Sequence, residues 1–218
     1  PSHNTAPMAE DKRRLIERLI NKLRAYSEPA QNIIRHNDDP ATASTQYRNA
    51  IAHYRRGDLE LAYKLMNGLS ETMPDDPFYH EFRGDILLSM AKPDAAATAY
   101  EKALALHPNS PQIQLNLGRS LIATNNESHL PRAIEAMLAA KKNEPDWAFI
   151  HRQLAIAYGR AGQIANANLS LAEEAILLGN EQRAALMAKR VLASADLARD
   201  VRNRANDILF RFGKSLQK

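Results

Sequence analysis

Four helix-ending signals recur along the chain at nearly constant spacing: Met73-Pro74, His107-Pro108, Glu144-Pro145 and Leu178-Gly179. Pro74 to Pro108 is 34 residues, Pro108 to Pro145 is 37, and Pro145 to Gly179 is again 34. A fixed period of this length marks stacked copies of one supersecondary unit, no copy of which buries its apolar face alone. The three extra residues fall in Asn125-Asn126-Glu127-Ser128-His129, a polar stretch suited to a turn between helices. Helix formers dominate the composition, and no Val/Ile/Thr-rich alternating run appears, so the repeating unit is helical.

Two helices that cross closely need small residues at the crossing and large apolar ones beside it. The first period, 43–76, offers Ala50, a turn at Gly57 and Ala62; the second, 77–110, offers Gly84, Ala96, Tyr100, Ala103 and Pro108. The third, 111–147, has Leu117-Gly118, Leu121, Ala133, Met137, Ala140 and Pro145. The fourth, 148–181, has Leu154-Ala155, Tyr158, Gly162, Ala167 and Leu171. Taken in register, these positions resemble the tetratricopeptide repeat (TPR). That resemblance implies an all-α fold: a right-handed α-solenoid of antiparallel helix pairs with capping helices at both ends. Helix 164–178 closes the fourth repeat or opens a fifth.

The ends depart from the period. Residues 1–42 read as a junction and N-terminal cap. In them Leu15, Leu19 and Leu23 stack with Ile16, Ile20 and Tyr26, while Lys12, Arg13, Glu17, Lys22 and Arg24 face water. Ser27-Glu28-Pro29 restarts a short helix ending near Asn37, and Asp38-Asp39-Pro40 stops it. Residues 182–218 read as a degenerate half-repeat, with Ala184, Ala188 and Val191 small or apolar, followed by a capping helix. Val201, Ala205, Ile208, Leu209 and Phe212 form the docking face of that helix.

Three stretches carry a narrower resemblance. Ala50-Ile51-Ala52-His53-Tyr54-Arg55-Arg56-Gly57-Asp58-Leu59, Pro77-Phe78-Tyr79-His80-Glu81-Phe82-Arg83-Gly84 and Arg152-Gln153-Leu154-Ala155-Ile156-Ala157-Tyr158-Gly159-Arg160 resemble the TPR region that follows the protease domain in bacterial HtpX/BepA-type zinc metallopeptidases. Ser2-His3 before a basic helix resembles the junction between the two, with Asn4 where that family has Pro. The resemblance implies a periplasmic location. It also implies partners in the chain's own protease domain and in outer-membrane assembly proteins.

The chain itself offers no catalytic or metal site. The family's H-E-x-x-H motif sets two His one helical turn apart on one zinc. Here His80-Glu81-Phe82-Arg83-Gly84 has Gly84 in place of the second His. His36, His53, His107, His129 and His151 are scattered and make no ligand pair at helical spacing, and there is no Cys. Glu173-Glu174 and Asp75-Asp76 are adjacent pairs, which do not face each other on a helix. No cofactor is expected in this chain; the resemblance places zinc only in a protease domain upstream. No apolar run is long enough to span a bilayer. The net charge of +4 is spread along the chain, so nucleic acid is not an expected partner. The basic C-terminal helix, with Arg199, Arg202, Arg204, Arg211 and Lys214, is its only weak support.

The expected partner is a protein or peptide. In TPR arrays the first helix of each repeat lines the binding groove. Counting from each repeat start, Tyr47, Tyr54, Arg55, Glu81, Asp85, Arg119, Arg152 and Arg160 are the candidate groove residues, with Phe78, Ile122 and Phe149 beside them. Ile51, Leu88, Leu115 and Ile156 are expected to fill packing between repeats. The function that follows is a TPR interaction module, non-catalytic and part of a larger metallopeptidase, or else a stand-alone scaffold unrelated to proteolysis.

Overall fold

The computed structural model describes residues 6–35 and 42–214. Ser2-His3-Asn4, His36 and Asp38-Asp39-Pro40 lie outside them. Among the described residues there are twelve α-helices and no strand. They are α1 (Ala6–Ser27), α2 (Ala30–Arg35), α3 (Ala43–Arg56), α4 (Leu59–Thr72), α5 (Pro77–Ser89), α6 (Pro93–Leu106), α7 (Pro111–Ala123), α8 (Leu130–Asn143), α9 (Ala148–Arg160), α10 (Ile164–Leu177), α11 (Glu181–Leu192) and α12 (Arg199–Phe212). The chain forms two compact units, Pro1–Leu106 and His107–Lys218.

Helices α3/α4, α5/α6, α7/α8 and α9/α10 pack as successive pairs, and α11 packs against both α10 and α12. Local chemistry sets each pair. Asp76 accepts a hydrogen bond from the Phe78 backbone N–H with Pro77 in the first turn of α5; Ser110 and Pro111 do the same for α7. The turn inside each pair holds one left-handed residue: Gly57 (φ 82°), Ala91 (φ 56°), Asn125 (φ 56°) and Gly162 (φ 71°). The insertion forms this turn plus one 3-10 turn, Glu127–His129, with Asn126 Oδ1 capping the Ser128 N–H at 3.0 Å.

The crossings are closest where glycine stands. A Cβ at Gly84 would lie 2.7 Å from the Tyr100 ring, and one at Gly118 would lie 2.7 Å from the Met137 side chain. Ala50, Ala62, Ala96, Ala103, Ala133 and Ala140 are fully buried at the equivalent contacts. In the first unit Tyr47 packs on Tyr79 and edge-on to Phe82, with ring centroids 5.5 and 5.7 Å apart. In the second, Ala205, Ile208 and Phe212 bury one face of α12 against α10 and α11, with Val201 and Leu209 partly buried beside them.

Helix α1 corrects one expectation. Its half-buried line is polar, Arg18, Asn21 and Lys22, with Ala25 fully buried. Lys22 therefore does not face water as expected, although Lys12, Arg13, Glu17 and Arg24 do. The apolar row is turned outward: Leu15, Ile16, Leu19, Ile20, Leu23 and Tyr26 are 45–61% exposed. The helix is held by polar contacts. Arg18 pairs with Asp76 and lies 3.9 Å over the Phe78 ring, and Arg55 of α3 donates to the carbonyls of Ala25 and Glu28. Replacing Leu19 and Leu23 with serine is accordingly expected to change the unfolding free energy by less than about 0.5 kcal/mol per site. Arg18→Ala is expected to remove about 2 kcal/mol, because it breaks a charge-assisted bond that is mostly shielded from water. Urea titration of the variants decides, and a serine penalty larger than that of Arg18→Ala would mean the apolar row is buried.

Candidate protein-binding faces

The candidate residues sit on first helices α3, α5, α7 and α9, and the two units treat them differently. In the unit Pro1–Leu106, α1 packs along α3 and covers the expected face. Tyr47 is core, 2% exposed, and offers no surface to a partner. Tyr54 is half-buried, edge-on to Phe82, with its hydroxyl 3.0 Å from Ser89 Oγ. Arg55 is spent on the end of α1. Asp85 accepts from the Tyr100 hydroxyl at 2.7 Å. Arg55 thus holds the end of α1 and Glu81 lies near Arg18 and Lys22 of that helix, whereas Tyr47 and Asp85 are engaged with α5 and α6.

Glu81 lies beneath α1, and burial, reinforced by the nearby Asp85 carboxylate, pushes its pKa up to about 7; Lys22 and Arg18 oppose the shift. A carboxyl whose folded pKa exceeds the unfolded value near 4.5 binds its proton more tightly in the native state. Its contribution is therefore fully present below pH 4.5 and is lost as pH rises through about 7. Glu81→Gln is expected to raise stability by up to about 3 kcal/mol at pH 8 and to change it little at pH 4.5. Denaturant titrations at both pH values test this, and an equal effect at the two would assign the gain to packing.

In the unit His107–Lys218 the expected face carries cations. Arg119 of α7 donates to Asn116 Oδ1 at 3.1 Å and lies 5.7 Å from the Phe149 ring centroid of α9. Arg160 donates to the Ile122 carbonyl at 2.7 Å and to Asn125 Oδ1 at 3.0 Å, tying α9 to the insertion turn. Arg152 donates through Nε to Glu174 Oε1 at 2.5 Å, and Arg183 of α11 reaches the other oxygen at 3.2 Å. Glu174 is 1% exposed, whereas the Arg152 and Arg183 side chains are 52% and 40% exposed. Ile156 is 41% exposed, so it does not fill inter-repeat packing as expected; Ile51 and Leu115 are buried, and Leu88 is half-buried. Glu174, Arg183 and the exposed Leu186 were not among the expected residues. The signal for Glu174 is its register, since Ala103 and Ala140 stand at the same place in the two preceding pairs.

Two histidines are structural. His80 donates through Nε2 to the Pro74 carbonyl at 2.7 Å, and His151 donates to that of Pro145 at 3.3 Å. Gln114 makes the same bond to Pro108 at 2.7 Å. Burial lowers the His151 pKa, with the Pro145 bond opposing. His53 contacts Asp58, and His129 contacts Thr124. Among the described residues no three His, Cys, Asp or Glu side chains converge as metal ligands would, and no helix is long and apolar enough to cross a membrane.

Comparison with known proteins agrees with this architecture. A tetratricopeptide-repeat family profile matches residues 87–155. Comparison with the curated proteins finds no match. Among solved structures, the MamA RS-1 ArsTM double mutant superposes with a TM-score of 0.63 at 18% identity, over 76% of this chain and 94% of that one. MamA MSR-1 superposes with a TM-score of 0.62 at 20% identity, over 76% and 94%. MamA 41-end from Desulfovibrio magneticus RS-1 superposes with a TM-score of 0.60 at 18% identity, over 77% and 94%. Identities this low speak to fold alone, and the fold they share with this chain is an all-helical, TPR-like solenoid.

Proposed function

We propose that the chain is a protein-binding TPR scaffold and that it docks partners on the first-helix face of the unit His107–Lys218, formed by α7, α9 and α11. The observation that carries this reading is the contrast between the units. One first-helix face is covered in cis by α1, while on the other Arg152, Ile156 and Arg160 are exposed. Exposed arginine and large apolar side chains supply much of the energy in protein interfaces. Peptides selected on the chain from a random library are expected to protect the amides of α7, α9 and α11 from hydrogen exchange. Protection confined to α12 would make the basic C-terminal helix the docking site, and failure to select any peptide would count against a peptide-binding scaffold.

A second reading rests on the stretches that resemble HtpX/BepA-type metallopeptidases. In it the chain is the non-catalytic partner of a zinc protease domain, working in the periplasm on outer-membrane assembly proteins. Neither the family profile nor the solved structures bear on it. An H-E-x-x-H motif upstream in the same reading frame would favour it, and a reading frame without one would remove it.

A further inference from the structure

We infer that the face formed by α9 and α11 is a receptor for an acidic amphipathic segment, one that presents a carboxylate and a large apolar side chain one helical turn apart. The inference rests on the docking reading above and names the chemistry of the partner.

The site is built around Glu174. This carboxylate is 1% exposed and receives one guanidinium from α9 and another from α11. Two cations against one anion leave a net positive charge fixed at a half-exposed surface. Each guanidinium has five N–H donors in a planar fork suited to carboxylate oxygens. Arg152 and Arg183 each spend one donor on Glu174, and both side chains remain 40% exposed or more. Glu174 thus orients the two forks from below without neutralising them.

Apolar positions follow each cation by one turn. Ile156 stands four residues after Arg152 on α9, and Leu186 stands three residues after Arg183 on α11, each 41% exposed. Both helices therefore present the same sequence of chemistry, guanidinium then aliphatic side chain. Lys189, also exposed, adds a further positive charge to α11. A segment complementary to this pattern carries Asp or Glu followed at helical spacing by Leu, Ile or Phe. The first unit supplies an internal comparison of opposite sign: its face bears Asp76, Glu81 and Asp85, and the helix seated there presents Arg18 and Lys22 to it.

A synthetic helical peptide with Glu and Leu one turn apart is the probe. Its affinity is to be compared with that of the same peptide carrying Gln for Glu, and with that of a short DNA oligonucleotide. The Glu peptide is expected to bind about tenfold or more tightly than the Gln peptide, and to weaken about tenfold with Ile156→Ser plus Leu186→Ser. These two changes are at exposed positions and leave the Glu174 cluster intact. Arg152→Lys, which keeps the charge beside Glu174 and loses the fork, is expected to weaken the Glu peptide and leave the Gln peptide unaffected. Equal binding of the Glu and Gln peptides would overturn the acidic partner while leaving the docking reading in place. Binding of the oligonucleotide as tight as that of the Glu peptide, and unaffected by the serine changes, would make the face a general polyanion surface and overturn the inference. If neither peptide binds, the inference falls, and the library selection reports separately on the scaffold reading.

Discussion

Gly84→Leu is expected to destabilise the chain by about 3 kcal/mol, and Gly118→Leu by a similar amount. At Gly84 even the first added carbon would sit 2.7 Å from Cε1 of Tyr100, whose ring is fully buried and whose hydroxyl is held by Asp85. The ring cannot retreat without breaking that bond or opening the α5/α6 crossing. At Gly118 the carbon would meet Met137 at 2.7 Å and the backbone oxygen of Ala133 at 3.0 Å. The methionine side chain adapts more easily, but the carbonyl does not. Gly68 is the control. It lies inside α4 with nothing within 4 Å of an added Cβ, so Gly68→Ala is expected to stabilise by about 1 kcal/mol through helix propensity alone. Thermal midpoints read the contrast at roughly 2–4 °C per kcal/mol for a chain of this size. Leucine tolerated at both crossing positions would show that the helix pairs do not meet where described.

The second large effect concerns the buried carboxylate. Arg152→Ala combined with Arg183→Ala is expected to destabilise by about 3–5 kcal/mol, because it strands Glu174 at 1% exposure with neither partner. Adding Glu174→Ala to that pair is expected to restore most of the loss. Alanine fits the place, since Ala103 and Ala140 occupy it in the preceding pairs and are fully buried. A cluster whose removal is milder than its breakage contributes little net stability, which agrees with a role in holding two exposed guanidiniums. Chemical denaturation of the double and triple variants settles the sign. A triple variant no more stable than the double would mean that the arginines matter through packing.

Helix pairing was legible because it depends on backbone approach, and backbone approach selects residue size in a way that survives in the sequence. Gly84, Gly118 and the buried alanines record it directly. The orientation of α1 was not legible. Periodicity tells which side chains share a face and says nothing about which face meets the protein; Leu15, Leu19 and Leu23 form a row whether buried or exposed. The decisive information was distant in sequence, in Asp76 and Glu81, which draw Arg18 and Lys22 inward. Of the candidate binding residues, Tyr47 failed as a surface because its ring reaches Tyr79 and Phe82, contacts that counting along one helix does not reveal. Arg152 stands exposed on α9, where counting placed it, but its ties to Glu174 and Arg183 were not legible, since they join three helices through one charged residue at a site where alanine is usual.

The carbonyl of the proline that ends one helix pair is bound by a side chain six residues on, from His80, Gln114 or His151. Six residues beyond Gly179 stands Ala185, which has no donor to offer. Besides their apolar packing, the last helices are tied to α10 by charge: Arg183 to Glu174, and Arg204 to Glu173 at 2.6 and 2.9 Å. Neutral hydrogen bonds of the first kind are indifferent to dissolved ions, whereas the half-exposed Arg204–Glu173 pair is screened as ionic strength rises. Rising ionic strength therefore weakens the Arg204–Glu173 tie of α12 to α10 and leaves the three proline-carbonyl bonds unchanged, so the seating of the last helix depends on the medium.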